Sequence, residues 1–309
     1  KSANTDLPSS FNGLPVDTLN SAQLQWSHFF EDEHLIALID TALANNQELR
    51  IMMQQIDVAQ NEVKARKGEY LPFINYGAGA EVEKVGEYTR NGAVEKNLDI
   101  REGEEFPEPL TDYSAGLFAT WELDVWKKLR NSKKAATLEY LSTIEGKNFM
   151  VTRLIAEIAQ SYYELIALDN QLTIIEQNLE LQGNALTMVR LQKQAARATE
   201  LAVKRFEAEV AKNKSHKFEV LQEIVEMENK LNFLVGRQPQ HIARNSDDFI
   251  ATAINTIDAG IPSQLLLNRP DIRQAEFELE AAKLNIKVAR ANFYPSIGLK
   301  AGVGLQAFK

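Results

Sequence analysis

Hydrophobic residues recur at intervals of three and four in four stretches of the chain, and this spacing predicts helices at about 32–69, 124–195, 199–236 and from 269 onward. Pro72 and Pro295 end the first and the last of these helices, because proline disrupts a helix interior. After each proline the hydrophobic period changes to two, which is typical of a β-strand. A third alternating segment begins near Tyr113. Between it and the first strand lies an acidic segment with glycine and proline, 84–109, so residues 73–123 are predicted to form a β-hairpin with a long loop.

Each predicted strand has one apolar face and one face of small or polar residues. The candidate lipid-facing residues are Ile74, Tyr76, Ala78, Tyr113, Ala115, Leu117, Ala119, Ile297, Leu299 and Val303. Alternation alone fits a half-buried strand of a soluble sandwich as well as a strand in a membrane. If the apolar face meets lipid, arginine at Leu117 should hinder insertion more than arginine at Gly116 on the other face. Aromatic residues at the strand ends (Tyr113, Trp121, Trp126, Phe293 and Tyr294) fit either a core or a membrane interface.

The two central helices carry heptad seams, which indicate a coiled coil. The first seam, from Leu154 to Val189, continues over five repeats, and the whole helix would be roughly 105 Å long at the usual rise per residue. The second seam, from Val203 to Leu234, stops at Gly236, a natural C-cap. Three polar seam residues, Gln182, Asn213 and Lys217, either face an internal channel or set the helix register. Long coiled coils joined to alternating strands favour the membrane interpretation over a soluble sheet.

The chain also contains an internal repeat. When Pro72 is aligned with Pro295, 223 residues further along, the flanking helix and strand match in kind, which indicates a duplicated unit. The predicted organisation is an extended arm (1–31), a first repeat (32–236), a connector (237–268) and the start of a second repeat (269–309). Because the second copy has only begun, we expect the natural chain to continue beyond Lys309 and to repeat the missing strand and long helices.

Composition excludes several classes of function. The net charge of −9 and a pI near 5.2 argue against a nucleic-acid partner, since no basic patch is concentrated enough to bind phosphate. The absence of cysteine removes disulfides, thiol nucleophiles and cysteine metal ligands, and the four histidines are scattered. No nucleophile or phosphate-loop motif is present. We therefore predict no catalytic, cofactor-binding or metal-binding residues, and a protein that is not an enzyme.

Four further parts of the sequence are informative: Trp121–Trp126, Glu157–Leu165, Leu231–Pro239, and Ile261–Glu276 with its continuation Ala289–Ile297. Together they resemble the TolC-like outer-membrane efflux family (outer-membrane factors), on its lipoprotein-type branch. The resemblance implies a mainly α fold with membrane β-structure: long antiparallel coiled-coil helices that form an α-barrel, topped by strands contributed to a trimeric outer-membrane β-barrel.

The function implied by the resemblance is a passive exit duct of a tripartite efflux or export system. Its implied partners are two further copies of the chain, a periplasmic adaptor (membrane fusion) protein, an inner-membrane pump such as a resistance-nodulation-division transporter, and outer-membrane lipid. The implied location is the outer membrane of a Gram-negative bacterium with the helices in the periplasm, and with an N-terminal lipid anchor on a cysteine that this chain does not contain. The alternative is a soluble periplasmic coiled-coil scaffold or adaptor, which would not need three amphipathic strands.

The turn between the long helices is the candidate adaptor contact, because it lies at the end of both seams. It comprises Gln194, Ala195, Ala196, Arg197, Ala198, Thr199, Glu200 and Leu201. The family usually has glycine where this chain has Ala196. Since alanine resists a positive φ, either the turn differs slightly or the helix runs through it. Thr199 is predicted to cap the returning helix.

Overall fold

The computed structural model describes residues 26–246 and 262–308. In chain order the elements are α1 (Trp26–Phe29), α2 (Glu33–Asn45), α3 (Gln47–Glu69), β1 (Phe73–Glu83), α4 (Arg90–Asn97), β2 (Asp99–Arg101), β3 (Glu104–Glu105), β4 (Leu110–Leu123), α5 (Lys128–Gln194), α6 (Glu200–Val235), α7 (Pro262–Asn268), α8 (Pro270–Ala291) and β5 (Ile297–Phe308). Most of the predicted arm and the middle of the predicted connector lie outside the described residues. The described end of the arm contains the short helix α1.

The contacts divide the chain into two units, which are described separately. Unit 1 contains the described residues up to Asp57 and from Ser142 to Glu276. Unit 2 contains Val58–Leu141 and the described residues from Phe277 onward. Both units combine parts of the first repeat with parts of the second, so packing does not follow the linear segments that the sequence suggested.

The core of unit 1 is built by the predicted heptad seams. Leu154, Ile158, Ser161, Leu165 and Ile175 of α5 are buried, as are Val203, Val220, Ile224, Leu231 and Leu234 of α6. Tyr162 is fully buried beside this seam, and its hydroxyl donates a hydrogen bond to Asp32 Oδ2 at 2.8 Å. Phe206 was predicted to belong to the seam but is 37% exposed, although Val203, one turn closer to the start of α6, is buried. Within the seam, Asn213 Nδ2 of α6 donates a hydrogen bond to Gln182 Oε1 of α5 at 2.8 Å, so these two polar side chains pair with each other between the helices.

The predicted continuous helix 32–69 is wrong, because the chain breaks at Asn46. This residue has φ −60° and ψ 126°, outside the helical region. Its side-chain oxygen accepts from the Leu49 N–H at 3.1 Å, which caps α3. Its amide nitrogen donates to the Leu234 carbonyl at 2.9 Å. The break is thus stabilised by a contact with the end of α6, 188 residues away in sequence, which local spacing could not indicate.

A buried charge cluster holds the described start of the connector against the two long helices. Arg244 contacts Asp169 of α5 through two hydrogen bonds, Nε–Oδ2 at 2.5 Å and Nη2–Oδ1 at 2.9 Å, and contacts Glu228 Oε1 of α6 at 2.5 Å. The side chains are 8%, 19% and 16% exposed, respectively. Ser246 adds a hydrogen bond from its hydroxyl to Asp169 at 3.1 Å. Local sequence patterns predict only a mixed connector here, because Arg244 lies 75 residues from Asp169 and 16 residues from Glu228.

Unit 2 is organised around an antiparallel sheet of order β1-β4-β5. The hairpin predicted at 73–123 forms, but the segment between its strands is not a plain loop. It contains α4, capped by Thr89 through the Gly92 N–H, and the small hairpin β2–β3. The period-based prediction missed both because they are short and mainly polar.

The repeat is visible in local structure. α3 begins at Gln47 and α8 at Pro270, which are 223 residues apart, and each helix is followed by a strand that starts just after the aligned proline. Pro270 occupies the predicted first-turn position, where the missing N–H is harmless. Gly236 ends α6 with φ 75° in the left-handed region, as predicted for a C-cap.

Candidate functional site

The first candidate site is the apolar face of the three-stranded sheet. Directly paired residues in an antiparallel sheet lie on the same face. The register pairs Tyr76 with Leu117 and Leu117 with Val303, and this row repeats along the strands. The register brings all ten candidate lipid-facing residues to one face. Ile74 is 71% exposed and Tyr76 and Val303 are each 73% exposed, so the face is uncovered within the described residues.

The same face extends beyond the ten predicted residues. Val82, Trp121, Leu123, Ala301 and Leu305 occupy the same pairing rows. Their alternation was visible in the sequence, but only the register shows that the three strands are aligned so that one continuous apolar surface results.

The opposite face of the sheet carries an aromatic ring among glycines. A Cβ added at Gly302 would lie 3.0 Å from Phe118 Cδ1, and one added at Gly116 would lie 3.3 Å from Phe118 Cζ and 3.1 Å from the Val303 carbonyl oxygen. The glycines leave room for the ring, as in other sheets where an aromatic side chain covers a glycine. Gly116 is therefore unsuitable as a control position for arginine substitution, because even a Cβ there would lie 3.1 Å from the backbone of Val303.

Two tryptophans lie at the end of the sheet where the strands join the helices, and each donates a hydrogen bond to a backbone carbonyl. Trp121 Nε1 donates to the Tyr70 carbonyl at 3.0 Å, and Trp126 Nε1 donates to the Pro295 carbonyl at 3.0 Å. Trp126 also stacks on Tyr294 with ring centroids 4.6 Å apart. Each of the two helix-to-strand corners of the repeat is thus held by one indole N–H.

The strand-to-helix junction corrects the predicted helix start at residue 124. Asp124 is buried and acts as a cap: its carboxylate accepts from the Leu129 N–H at 3.0 Å and from the Arg130 N–H at 2.9 Å. Lys127 has φ 58°, so the chain turns before α5 begins at Lys128. Burial acts to raise the pKa of Asp124, but the N–H groups and the Arg130 guanidinium outweigh it, and the pKa lies below its usual value.

A concentrated basic segment follows this junction, contrary to the sequence expectation that no such patch exists. Five of the eight residues from Lys127 to Lys134 are lysine or arginine, and none is acidic. The strongly acidic total charge of the chain masked it.

The second candidate site is the turn between α5 and α6. The helix does not run through it: α5 ends at Gln194, and Ala196 has φ 56°. The Arg197 N–H donates to the Gln192 carbonyl at 2.8 Å and the Ala196 N–H to the Lys193 carbonyl at 2.9 Å, which is a Schellman motif with alanine in the place of glycine. The predicted cap is confirmed, because Thr199 Oγ1 accepts from the Ala202 N–H at 3.2 Å.

Ion pairs join α5 and α6 beside this turn. Lys193 pairs with Glu200, and Arg190 pairs with Glu207 at 2.8 Å. The hydrogen bond and charge of Lys193 hold the pKa of Glu200 below its usual value. Arg197, at the end of the turn, is exposed and forms no ion pair within the described part of the chain. The turn therefore presents one exposed cation without an ion pair and a short backbone segment, next to the two ion pairs that join the helices.

The chemistry available in the described residues is limited. Among residues 26–246 and 262–308, no group of three or more histidine or acidic residues could hold a metal ion. In the same residues, no helix has both the length and the hydropathy needed to cross a bilayer.

Comparisons with known proteins identify what the chain is similar to. Residues 38–237 and 261–308 match the sequence profile of the family described as outer membrane efflux protein. The chain is 31% identical over 297 residues to the cation efflux system protein CusC of Escherichia coli O6:H1, covering 95% of this chain and 60% of the relative. It is 29% identical over 278 residues to the solvent efflux pump outer membrane protein SrpC of Pseudomonas putida, covering 89% of this chain and 56% of the relative. The chain thus spans less than two thirds of the length of these relatives.

Solved structures agree with the fold. A crystal structure of CusC superposes with a TM-score of 0.75 at 27% identity, covering 99% of this chain and 67% of that one. The outer-membrane channel OprN superposes with a TM-score of 0.82 at 21% identity, covering 100% of this chain and 72% of that one. The second likeness concerns the fold alone.

Proposed function

Because the chain belongs to the outer membrane efflux protein family, we propose that it forms, with two further copies, the passive exit duct of a tripartite efflux system. The sheet lies in the outer membrane of a Gram-negative bacterium and the helices of unit 1 extend into the periplasm. An N-terminal lipid anchor belongs to the same proposal and rests on the resemblance alone. The relatives reported above are named as efflux proteins, which gives no support to a soluble scaffold.

The observation that carries this proposal is the continuous apolar face of the sheet. β1, β4 and β5 have 11, 14 and 12 residues, so each is at least as long as the roughly 9–11 residues that a tilted strand needs to cross the hydrocarbon. An exposed apolar face of three paired strands would be a liability in water. Its opposite face bears Gly77, Ser114 and Lys300, among other small or polar residues, as expected for a surface that lines a wet channel.

The open edges of this sheet support assembly with further copies of the chain, which the proposal takes to be a trimer. β1 and β5 each have one unpaired edge among the described strands. Unpaired backbone groups are not tolerated in lipid, so strands must come from other segments or other copies of the chain. Exposed apolar residues on the long helices, such as Leu181 on α5 and Phe218 on α6, fit further helices packing alongside.

We propose that the adaptor docks at the turn from Gln194 to Leu201. The third component of the system would be an inner-membrane pump such as a resistance-nodulation-division transporter. The turn is stabilised by its own hydrogen bonds, and both Arg197 and Leu201 are exposed, Leu201 by 69%. A rigid tip with a cation and an apolar side chain suits the helical end of another coiled coil.

The membrane assignment is tested by arginine substitutions on the two faces. Leu117→Arg should weaken insertion into phospholipid vesicles by about 2–4 kcal/mol if the residue lies near the bilayer midplane. Ser114→Arg is the matched control, because Ser114 is exposed on the opposite face of the same strand. The free energy of insertion is measured by urea titration of the vesicle-bound chain. Equal losses for the two variants would refute the membrane face.

The adaptor assignment is tested by charge reversal at the turn. Arg197→Glu should abolish export in cells while leaving the amount of trimer in the membrane unchanged. Lys214→Glu, an exposed reversal on α6 away from the turn, is the control and should export normally. Thr199 is unsuitable for this purpose because it caps α6. Normal export by the Arg197→Glu protein would remove the turn from the proposed contact.

A further inference from the structure

The basic segment after the sheet borders a cavity in unit 2. The cavity has a volume of about 550 Å³ and is lined by Lys127, Arg130, Asn131, Lys133, Lys134, Thr137, Leu138 and Leu284. All but the last belong to the turn before α5 or to its first turns, and Leu284 is on α8. The lining thus combines four cationic side chains with two leucines.

The cations of this segment are not equivalent. Arg130 is bound to Asp124, with Nε 3.1 Å from Oδ2, and lies over the Tyr70 ring. Lys128 is bound to Glu122 at 2.6 Å. By contrast, Lys127, Lys133 and Lys134 form no ion pair with any residue in the two described ranges. Three ammonium groups at one cavity repel each other and are stabilised by an anion.

A separate cavity of about 650 Å³ is lined by Thr120 and Lys300 of the polar face of the sheet, by Trp121 and Leu299 of the apolar face, and by Lys128, Leu129 and Ser132 of α5. At about 100° per residue, Lys134 and Leu138 lie on roughly the opposite side of α5 from Leu129 and Ser132. The two cavities share no lining residue, so the lysine cavity is a distinct site on this part of α5.

We propose that this cavity is a binding site for the headgroup of an anionic phospholipid in the periplasmic leaflet of the membrane. The phosphodiester would be held by Lys127, Lys133 and Lys134, and the glycerol and first acyl carbons would lie against Leu138 and Leu284. The cavity would lie at the depth of the lipid headgroups, because Lys127 directly follows Trp126 and indole rings are enriched at the headgroup level of bilayers. Nucleic acid fits less well, because the rest of the chain is acidic and would repel a long polyanion.

The proposal rests on the proposed membrane location of the sheet, but its test does not require insertion. The chain in uncharged detergent micelles is titrated with dioctanoylphosphatidylglycerol, and binding is followed by calorimetry and by the fluorescence of the nearby Trp126. The zwitterionic dioctanoylphosphatidylcholine, inorganic phosphate and a short DNA duplex are titrated in parallel. The anionic lipid should bind at low salt much more tightly than the other three, and added salt should weaken it.

Substitutions identify the site. Lys133→Gln with Lys134→Gln should lower the affinity for the anionic lipid roughly 25-fold, about fivefold for each lysine near a lipid surface. Lys212→Gln with Lys214→Gln removes two exposed lysines of α6 and should leave the affinity unchanged. Lys133→Arg with Lys134→Arg keeps the charge and should retain binding, which separates loss of the site from misfolding.

Several results would overturn the proposal. One is that the double glutamine variant binds the anionic lipid as tightly as the native chain does. Another is that the zwitterionic lipid, or inorganic phosphate, binds the native chain as tightly as the anionic lipid does. The last is that DNA binds the native chain more tightly than the anionic lipid does. The lipid titration uses micelles instead of a bilayer, so a negative titration would not contradict the proposed exit duct. Conversely, if Leu117→Arg did not impair insertion, the exit duct would be refuted, but the lipid titration would be unaffected.

Discussion

Replacement of Arg244 by methionine should destabilise unit 1 by about 3 kcal/mol, toward the lower end of the roughly 3–5 kcal/mol typical of a buried ion pair that loses one partner. Methionine keeps the aliphatic stem but removes every hydrogen bond from Arg244 to Asp169 and Glu228. The cost arises because two carboxylates stay in a poorly hydrated site. We expect the lower end because both carboxylates retain some exposure, the Ser246 hydroxyl still donates to Asp169, and His241 lies 2.8 Å from Glu228.

The loss is measured by urea unfolding of the chain in micelles, followed by far-ultraviolet circular dichroism of the helices. Arg269→Met is the matched control, since Arg269 and Asp271 form an ion pair at the surface, and this variant should unfold almost as the native chain does. Adding Asp169→Asn and Glu228→Gln to Arg244→Met should recover part of the loss, because the orphaned charges are then gone. A loss below about 1 kcal/mol, or no recovery in the triple variant, would contradict the argument that the orphaned charges carry the cost.

Two further predictions concern backbone and cap positions. Ala196→Gly should stabilise the turn by up to about 1 kcal/mol and slow its amide hydrogen exchange, because glycine relieves the strain of the positive φ of 56° but adds some entropy to the unfolded chain. Ala195→Gly, one residue earlier, is the control and should be destabilising. If Ala195→Gly stabilised the turn and Ala196→Gly destabilised it, backbone strain at Ala196 would be refuted. The folded pKa of Asp124 lies below its usual value of 3.8, so its carboxylate contributes stability that is complete above pH 3.8 and is lost as the pH falls through the folded pKa. On acidification below pH 3.8, the melting temperature of Asp124→Asn should therefore fall less than that of the native chain. An equal fall in melting temperature for both proteins would argue against the cap.

Local patterns in the sequence were sufficient for the long helices α5 and α6, for α8, and for the strands β1, β4 and β5. Helix spacing, proline stops, the Thr199 cap and the Gly236 C-cap depend on contacts within a few residues, so they can be recognised without knowing the partner. The same holds for the two faces of each strand, because the pleat alternates side chains whatever the strand pairs with. The family resemblance likewise rested on short contiguous motifs.

Long-range contacts decided the rest. The break at Asn46 depends on the Leu234 carbonyl, the Arg244 cluster joins residues about 75 positions apart, and the register of β5 on β4 aligns Val303 with Leu117. None of these partners can be recognised from spacing, since a one-residue shift in register would have turned the apolar face of β5 to the other side. The positive φ of Ala196 is decided in the same way: the two helices packed on either side, with the ion pair between Lys193 and Glu200, stabilise a turn that alanine alone disfavours.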